Sequence, residues 1–195
     1  MWIFKVPETF SSPYCVMKLK TLTFIFLLLV QPFARAEGIE AFYFGGLLGL
    51  ANTDLSGFGT RATYGFRGGV RLGEKLTSGL YYQVYSTSVS DNAGSADIYV
   101  VPLLVELNLH LWKVSEGPFV SLKIGGIRHS AENVTSGFNP PINSRTDFSI
   151  GVGGGYNLEL IEKNYVYFQI DSFSIDAKPH GYSFFSVVAG YTLEL

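Results

Sequence analysis

His129, Ser130 and Glu132 form the one grouping in the chain that puts a base, a hydroxyl nucleophile and an acid side by side. Those are the parts of a hydrolytic centre, and at a lipid boundary they would serve a lipid-active hydrolase. Neighbouring residues of an extended segment point to opposite faces, however, so His129 and Ser130 could not hydrogen-bond to each other there. No catalytic residue is expected from this grouping. Residues 151–155 (Gly-Val-Gly-Gly-Gly) suggest a phosphate cradle, but Tyr156 stands where the third glycine of G-x-G-x-x-G belongs, and no helical pattern follows. Close packing against an inner wall is the better use of such a run. His110 lies four residues from Glu106, on the same face of an extended segment, which suits a paired polar interior. The His and Asp spacings match no metal site, so neither a metal nor another cofactor is expected.

The elements that would position these residues are strands. From residue 37 onward no stretch approaches the length of a spanning helix, whereas period-two alternation recurs in segments of roughly ten residues. In 148–160 the even positions are Phe148, Ile150, Val152, Gly154, Tyr156, Leu158 and Leu160. The odd ones are Ser149, Gly151, Gly153, Gly155, Asn157 and Glu159. One face is apolar and the other small or polar. Eight such strands are expected, at about 39–51, 62–72, 77–88, 97–112, 118–130, 146–160, 164–176 and 182–195. The seventh changes phase near Ser172, where a bulge could sit. Pro102 inside the fourth is costly unless a bulge or strand end accommodates it. Short turns at 73–76, 113–117 and 161–164 alternate with longer segments at 52–61, 89–96, 131–145 and 176–181. That is the rhythm of an all-β, closed, eight-stranded antiparallel up-and-down barrel.

Which face points outward decides the class of protein. A soluble lipocalin-like barrel holding a small apolar ligand has the same period with its faces reversed. It would line its water-facing side with Lys, Glu and Asp, whereas the polar face here is mostly Gly, Ser, Thr, Asn and Tyr. The charges on that face carry both signs: Arg67, Arg71 and Lys123 against Glu106, Glu159, Asp171 and Glu194. They are expected to form a structural charge network inside the barrel, because an unpaired charge kept from water costs several kcal/mol. The apolar face then meets lipid, and strands in lipid must close so that no edge is left unpaired. A lumen of eight strands leaves room only for side chains, which disfavours a solute pore.

The N-terminal residues fit this destination. Lys18 and Lys20 precede the apolar run 22–30, followed by Pro32 and Ala34-Arg35-Ala36, the layout of a secretory signal peptide cleaved after Ala36. The extension 1–16 fits poorly ahead of such a signal, and Met17 is the expected start. Residues 1–36 are read as extension and signal, and 37–195 as one barrel domain. That domain carries ten basic and fifteen acidic residues. Such a mildly acidic chain offers no basic stripe for nucleic acid. Cys15, the only cysteine, leaves with the leader.

The alternating strands resemble those of the outer-membrane β-barrel domain proteins, the group that includes the OmpA membrane domain and the OmpX-like barrels. The resemblance is carried by 151–160 (GVGGGYNLEL), 187–195 (VVAGYTLEL) and 101–109 (VPLLVELNL), and it spans nearly all of 37–195. It implies an integral protein of a Gram-negative outer membrane, with a structural or surface-interaction role and no catalysis. The partners implied are membrane lipid, the barrel-assembly machinery during biogenesis, and an extracellular ligand at the external loops. Leu195 stands where the closing strand of this group usually ends in an aromatic residue, with Tyr191 four residues earlier.

Overall fold

The computed structural model describes residues 38–55, 58–139, 144–176 and 181–195. The expected signal segment and His180 lie outside them. Eight strands follow one another: β1 (Ala41–Thr53), β2 (Arg61–Arg71), β3 (Leu76–Asp91), β4 (Gly94–His110), β5 (Gly117–Glu132), β6 (Arg145–Ile161), β7 (Asn164–Asp176) and β8 (Tyr182–Glu194). Each pairs antiparallel with the next, and β8 returns to β1 to close the barrel. Closure leaves no free wall edge, as Leu48 pairs with both Tyr64 of β2 and Ala189 of β8. The tight connections β2–β3, β4–β5 and β6–β7 share one end with residues 38–40 and Leu195. The other end carries the remaining connections. These are called the turn side and the loop side.

The local chemistry of the turns explains their tightness. Lys163 takes a left-handed backbone (φ 65°) in the β6–β7 turn. Gly117 enters β5 with φ 109°, and a Cβ there would lie 2.7 Å from the Trp112 ring. Only glycine meets both demands.

Three expectations change. The segment 89–96 is not a long loop: β3 and β4 continue past their neighbours to a tight turn between Asp91 and Gly94, where Asp91 Oδ1 accepts from the backbone N–H of Ala93 and Gly94. An Asx turn of this kind needs only two residues. Residue Ser172 marks no bulge either, because the β7–β8 register is unbroken from Asn164 to Ile175; the shift in β6–β7 falls between Glu159 and Ile161. Pro102 sits inside β4 with its register intact on the β5 side, where it pairs with Ile127. Towards β3 the ladder skips from Leu103 to Val100 without slipping, since Tyr82 and Tyr85 remain their partners.

The reason for the apparent phase change in β7 lies in its surroundings. From Tyr165 to Ile175 the same odd positions point inward, but the residue types exchange. Outward Val166, Phe168 and Ile170 give way to Ser172, Ser174 and Asp176, while inward Gln169 and Asp171 give way to Phe173 and Ile175. In β3, outward Leu80, Tyr82 and Val84 give way to Ser86, Ser88 and Ser90. In β4, outward Leu103 and Val101 give way to Tyr99, Asp97 and Ser95, while Val100, Ile98 and Ala96 turn in. The outward face of one strand thus meets two media. The lumen on the loop side is correspondingly apolar and not the small, polar lining expected: Leu47, Tyr85, Ile98, Val100, Leu104, Ile127, Phe173, Phe184 and Val188 belong to one buried cluster.

Candidate functional site

Below that apolar cluster, four charged side chains from four strands meet in mid-lumen. Arg67 of β2, Glu106 of β4, Lys123 of β5 and Asp171 of β7 all have zero side-chain exposure. Inward phase on each strand brings them there. Arg67 Nε lies 3.8 Å from Glu106 Oε1, and Lys123 Nζ lies 3.9 Å from Glu106 Oε2 while forming a shorter ion pair with Asp171. Gln169 Nε2 donates to both Asp171 oxygens at 2.9 and 3.2 Å, Arg67 Nη1 donates to Gln169 Oε1 at 3.2 Å, and the Tyr43 hydroxyl donates to Glu106 at 3.3 Å. Aromatic faces complete the cage. The Arg67 guanidinium stands 4.2 Å from the centre of the Tyr167 ring, and the Lys123 ammonium 4.6 Å from that of Tyr81. Two cations and two anions cancel, which is the condition for keeping such groups out of water.

The other three members of the expected network lie elsewhere. Arg71 and Glu194 pair at 3.1 Å on the turn-side rim, where Arg71 also meets Glu40 at 3.0 Å. Glu159 corrects the expectation: it is exposed and accepts from the Ser115 hydroxyl at 2.9 Å. It is the last inward-phase residue before the β6–β7 shift, so the wall ends before a lumen can enclose it. His110 does face inward, but its ring nitrogen sits 3.3 Å from Thr77 Oγ1 and its ring packs on Phe119, with no contact to Glu106.

At the loop-side mouth, His129 points inward and Ser130 outward, as strand geometry requires. His129 Nδ1 lies 3.3 Å from Asp147 Oδ2, and its Nε2 makes a short hydrogen bond with the Tyr182 hydroxyl. Arg145 Nε also binds Asp147, at 2.6 Å. His129 of β5 thus ties β6 to β8, by close approach to Asp147 on one side and a hydrogen bond to Tyr182 on the other, and the position a hydrolytic serine would take is held by a phenol. Sequence alone missed Asp147 and Tyr182; both sit in inward phase, but only the register that sets Arg145 opposite His129 brings Asp147 near. Among the described residues no three potential ligands gather to hold a metal ion.

The lumen is filled. Tyr81, Gln83, Tyr85, Ile98, Val100, Ile127, Tyr167 and Phe184 have zero exposure, like the four central charges. Even the glycine run serves the filling: a Cβ at Gly153 would stand 2.1 Å from Asp171 Oδ1, and one at Gly151 would stand 2.3 Å from the Phe173 ring. Their missing side chains are the space those groups occupy.

The outside is a band of exposed apolar residues, among them Phe44, Leu48, Phe66, Leu80, Leu103, Val152, Phe168, Ile170, Val187 and Leu193. Outward residues of β8 and the adjoining Leu195 run from Phe185 to the end of the chain. At about 3.4 Å per residue and a strand tilt of about 40°, that stretch rises roughly 26 Å. Aromatic rings stand at its margins. Trp112 and Tyr156 meet edge to face at 6.5 Å on the turn side, and Phe148 and Phe185 stand opposite Asp176 and Ser172 on the loop side.

A closed, filled, eight-stranded wall with its apolar face outward is the fold of the small outer-membrane β-barrels. Among solved structures the chain is similar to Neisserial surface protein A, at 14% identity and a TM-score of 0.66, over 82% of this chain and 100% of that one. It also matches, at TM-scores of 0.43 and 0.49, two further barrels. One is the N-terminal barrel domain of Pseudomonas aeruginosa OprF (13% identity; 76% and 97% covered). The other is the attachment invasion locus protein Ail of Yersinia pestis (11%; 78% and 97%). No protein-family model matches the chain, and no curated protein sequence does.

Proposed function

We propose that the chain is an integral outer-membrane barrel of a Gram-negative bacterium, with a structural or surface-interaction role and no catalysis or conduction. One observation carries the reading: along β3, β4 and β7 the outward face passes from apolar to Ser, Asp and Tyr, while in β4 and β7 the inward face becomes apolar. A soluble lipocalin-like barrel meets water along its whole outside and has no reason for that exchange. A wall crossing a lipid band and continuing into water does. The apolar band of roughly 26 Å matches the ~25 Å of such membranes. Against a pore stands the filled lumen, and against a hydrolase the outward turn of Ser130 away from His129.

Residues 1–36 would deliver the chain through the inner membrane as a cleaved signal, and the barrel-assembly machinery would insert it. Outer-membrane lipid would then surround it, leaving the loop side to meet any extracellular ligand. Expressed with residues 1–36 in a Gram-negative host, the protein should stay in the outer-membrane fraction through carbonate and urea washes. Unboiled, it should migrate faster on SDS gels than after heating. In planar bilayers it should give no steady conductance. Release by carbonate would overturn the membrane assignment, and a stable open channel would overturn the closed lumen.

A further inference from the structure

β3 and β4 outreach β2, whose ladder with β3 ends at Thr63 opposite Tyr85. The step leaves an open pocket of about 340 Å³ at the loop-side rim, lined by the outward-phase Ser86, Ser88, Asp97 and Tyr99 and by the inward-phase Arg61 and Thr87. Directly below it, towards the turn side, the wall is apolar with Val84 and Val101. The outward side of the pocket, formed by Ser86, Ser88, Asp97 and Tyr99, therefore lies at the loop-side margin of the lipid band, and Arg61 reaches it over the end of β2.

Its charges are separated. Arg61 closes the β2 side; its Nε donates to Thr87 Oγ1 at 3.3 Å, and among the described residues it forms no ion pair. Asp97 closes the β4 side, one strand further on, fixed by hydrogen bonds from Ser88 Oγ at 2.6 Å and Asn133 Nδ2 at 2.7 Å. Those bonds, that from Asn133 foremost, hold its carboxyl below the ordinary aspartate range, so it remains charged at neutral pH. Ser86 and Tyr99 stand opposite each other in the ladder and add hydroxyls on the floor. A simple anion would meet Arg61 but be repelled by Asp97. A simple cation would meet the reverse. A group carrying both charges satisfies the pocket.

We infer that this pocket binds a phosphoamine, with the phosphate on Arg61 and the ammonium on Asp97. The guanidinium offers paired N–H donors suited to phosphate oxygens, and the serine and tyrosine hydroxyls supply further donors. The source is either a lipid headgroup at the membrane margin or a water-soluble phosphoamine. The lipid source rests on the membrane reading above; the pocket's charge pattern does not.

The test uses the folded full-length barrel in micelles, with native mass spectrometry counting adducts. The probes are a short-chain phosphatidylethanolamine, the matching phosphatidylglycerol, and free phosphoethanolamine. The parent should retain the ethanolamine lipid at least tenfold better than the glycerol lipid. Arg61→Gln should abolish that retention, and Asp97→Asn should bring the two lipids to parity. Free phosphoethanolamine competing as well as the lipid would assign the pocket to a soluble ligand. Equal retention of both lipids by the parent, or unchanged preference in both variants, would overturn the inference. Heat-modifiable mobility, recorded for each variant, reports the barrel itself. A folded barrel without preference would sink this inference and leave the membrane reading standing.

Discussion

Replacing Lys123 by Met removes one charge from the centre of the lumen and keeps the length of its stem. Lys123 Nζ faces Asp171 in direct contact and Glu106 at 3.9 Å, with Ser121 Oγ at 3.1 Å. At an effective dielectric of about 20, two unit charges that far apart interact by about 4 kcal/mol. What the variant loses is that attraction from two carboxylates, and what it keeps is their burial: Glu106 and Asp171 are left against Arg67 alone. Breaking a buried ion pair by removing one partner costs about 3–5 kcal/mol. Gln169 continues to donate to both Asp171 oxygens, which places the expected cost at the lower end, about 3 kcal/mol. Urea titration in phospholipid vesicles, scored by the fraction that keeps folded mobility on unheated gels, measures it. Adding Asp171→Asn to Lys123→Met leaves one cation and one anion, so the double variant should recover about 2 kcal/mol of the summed single costs. A loss below about 1 kcal/mol for Lys123→Met, the scale of a solvent-exposed pair, would refute the account of a dry, charge-balanced lumen.

Three further outcomes follow from the same geometry. Glu159→Gln should leave stability within about 0.5 kcal/mol of the parent in that titration, because its carboxylate and its hydrogen bond with Ser115 are exposed. Leu48→Arg puts a charge at mid-band, where Leu48 is 70% exposed on the outer wall, and should cost about 2–4 kcal/mol with slower insertion into vesicles. Gly153→Ala drives a methyl to 2.1 Å from Asp171 Oδ1 and 2.7 Å from the Ile170 carbonyl, so the urea midpoint should fall by the equivalent of at least about 2 kcal/mol.

Period-two alternation made the wall legible, since each strand separates lipid from a lumen and a one-residue slip would reverse every side chain. β7 fell at 164–176 as expected, and Arg67, Glu106, Lys123 and Asp171 were readable as inward charges of both signs. What alternation could not give was height along the barrel. Arg71, Glu194 and Glu159 share the inward phase with the central four, yet tilt and register carry them to the turn-side rim. Height also explains Ser172: the exchange of polar and apolar residues in β7 marks the upper edge of the lipid band, which a pattern read along one strand renders as a change of phase. The tie from Asp147 through His129 to Tyr182 was hidden for the same reason, as its two links join residues 18 and 53 positions apart on three different strands.

The direct test of the two-sided wall is a single-cysteine spin-label scan through Ser186, Val187, Val188 and Ala189 of β8 in lipid vesicles, reading collisions with dissolved oxygen. Oxygen concentrates in acyl chains, so labels at 187 and 189 should collide freely and those at 186 and 188 should be shielded. High accessibility at 186 and 188 with protection at 187 and 189 would place the apolar face inside and contradict the account.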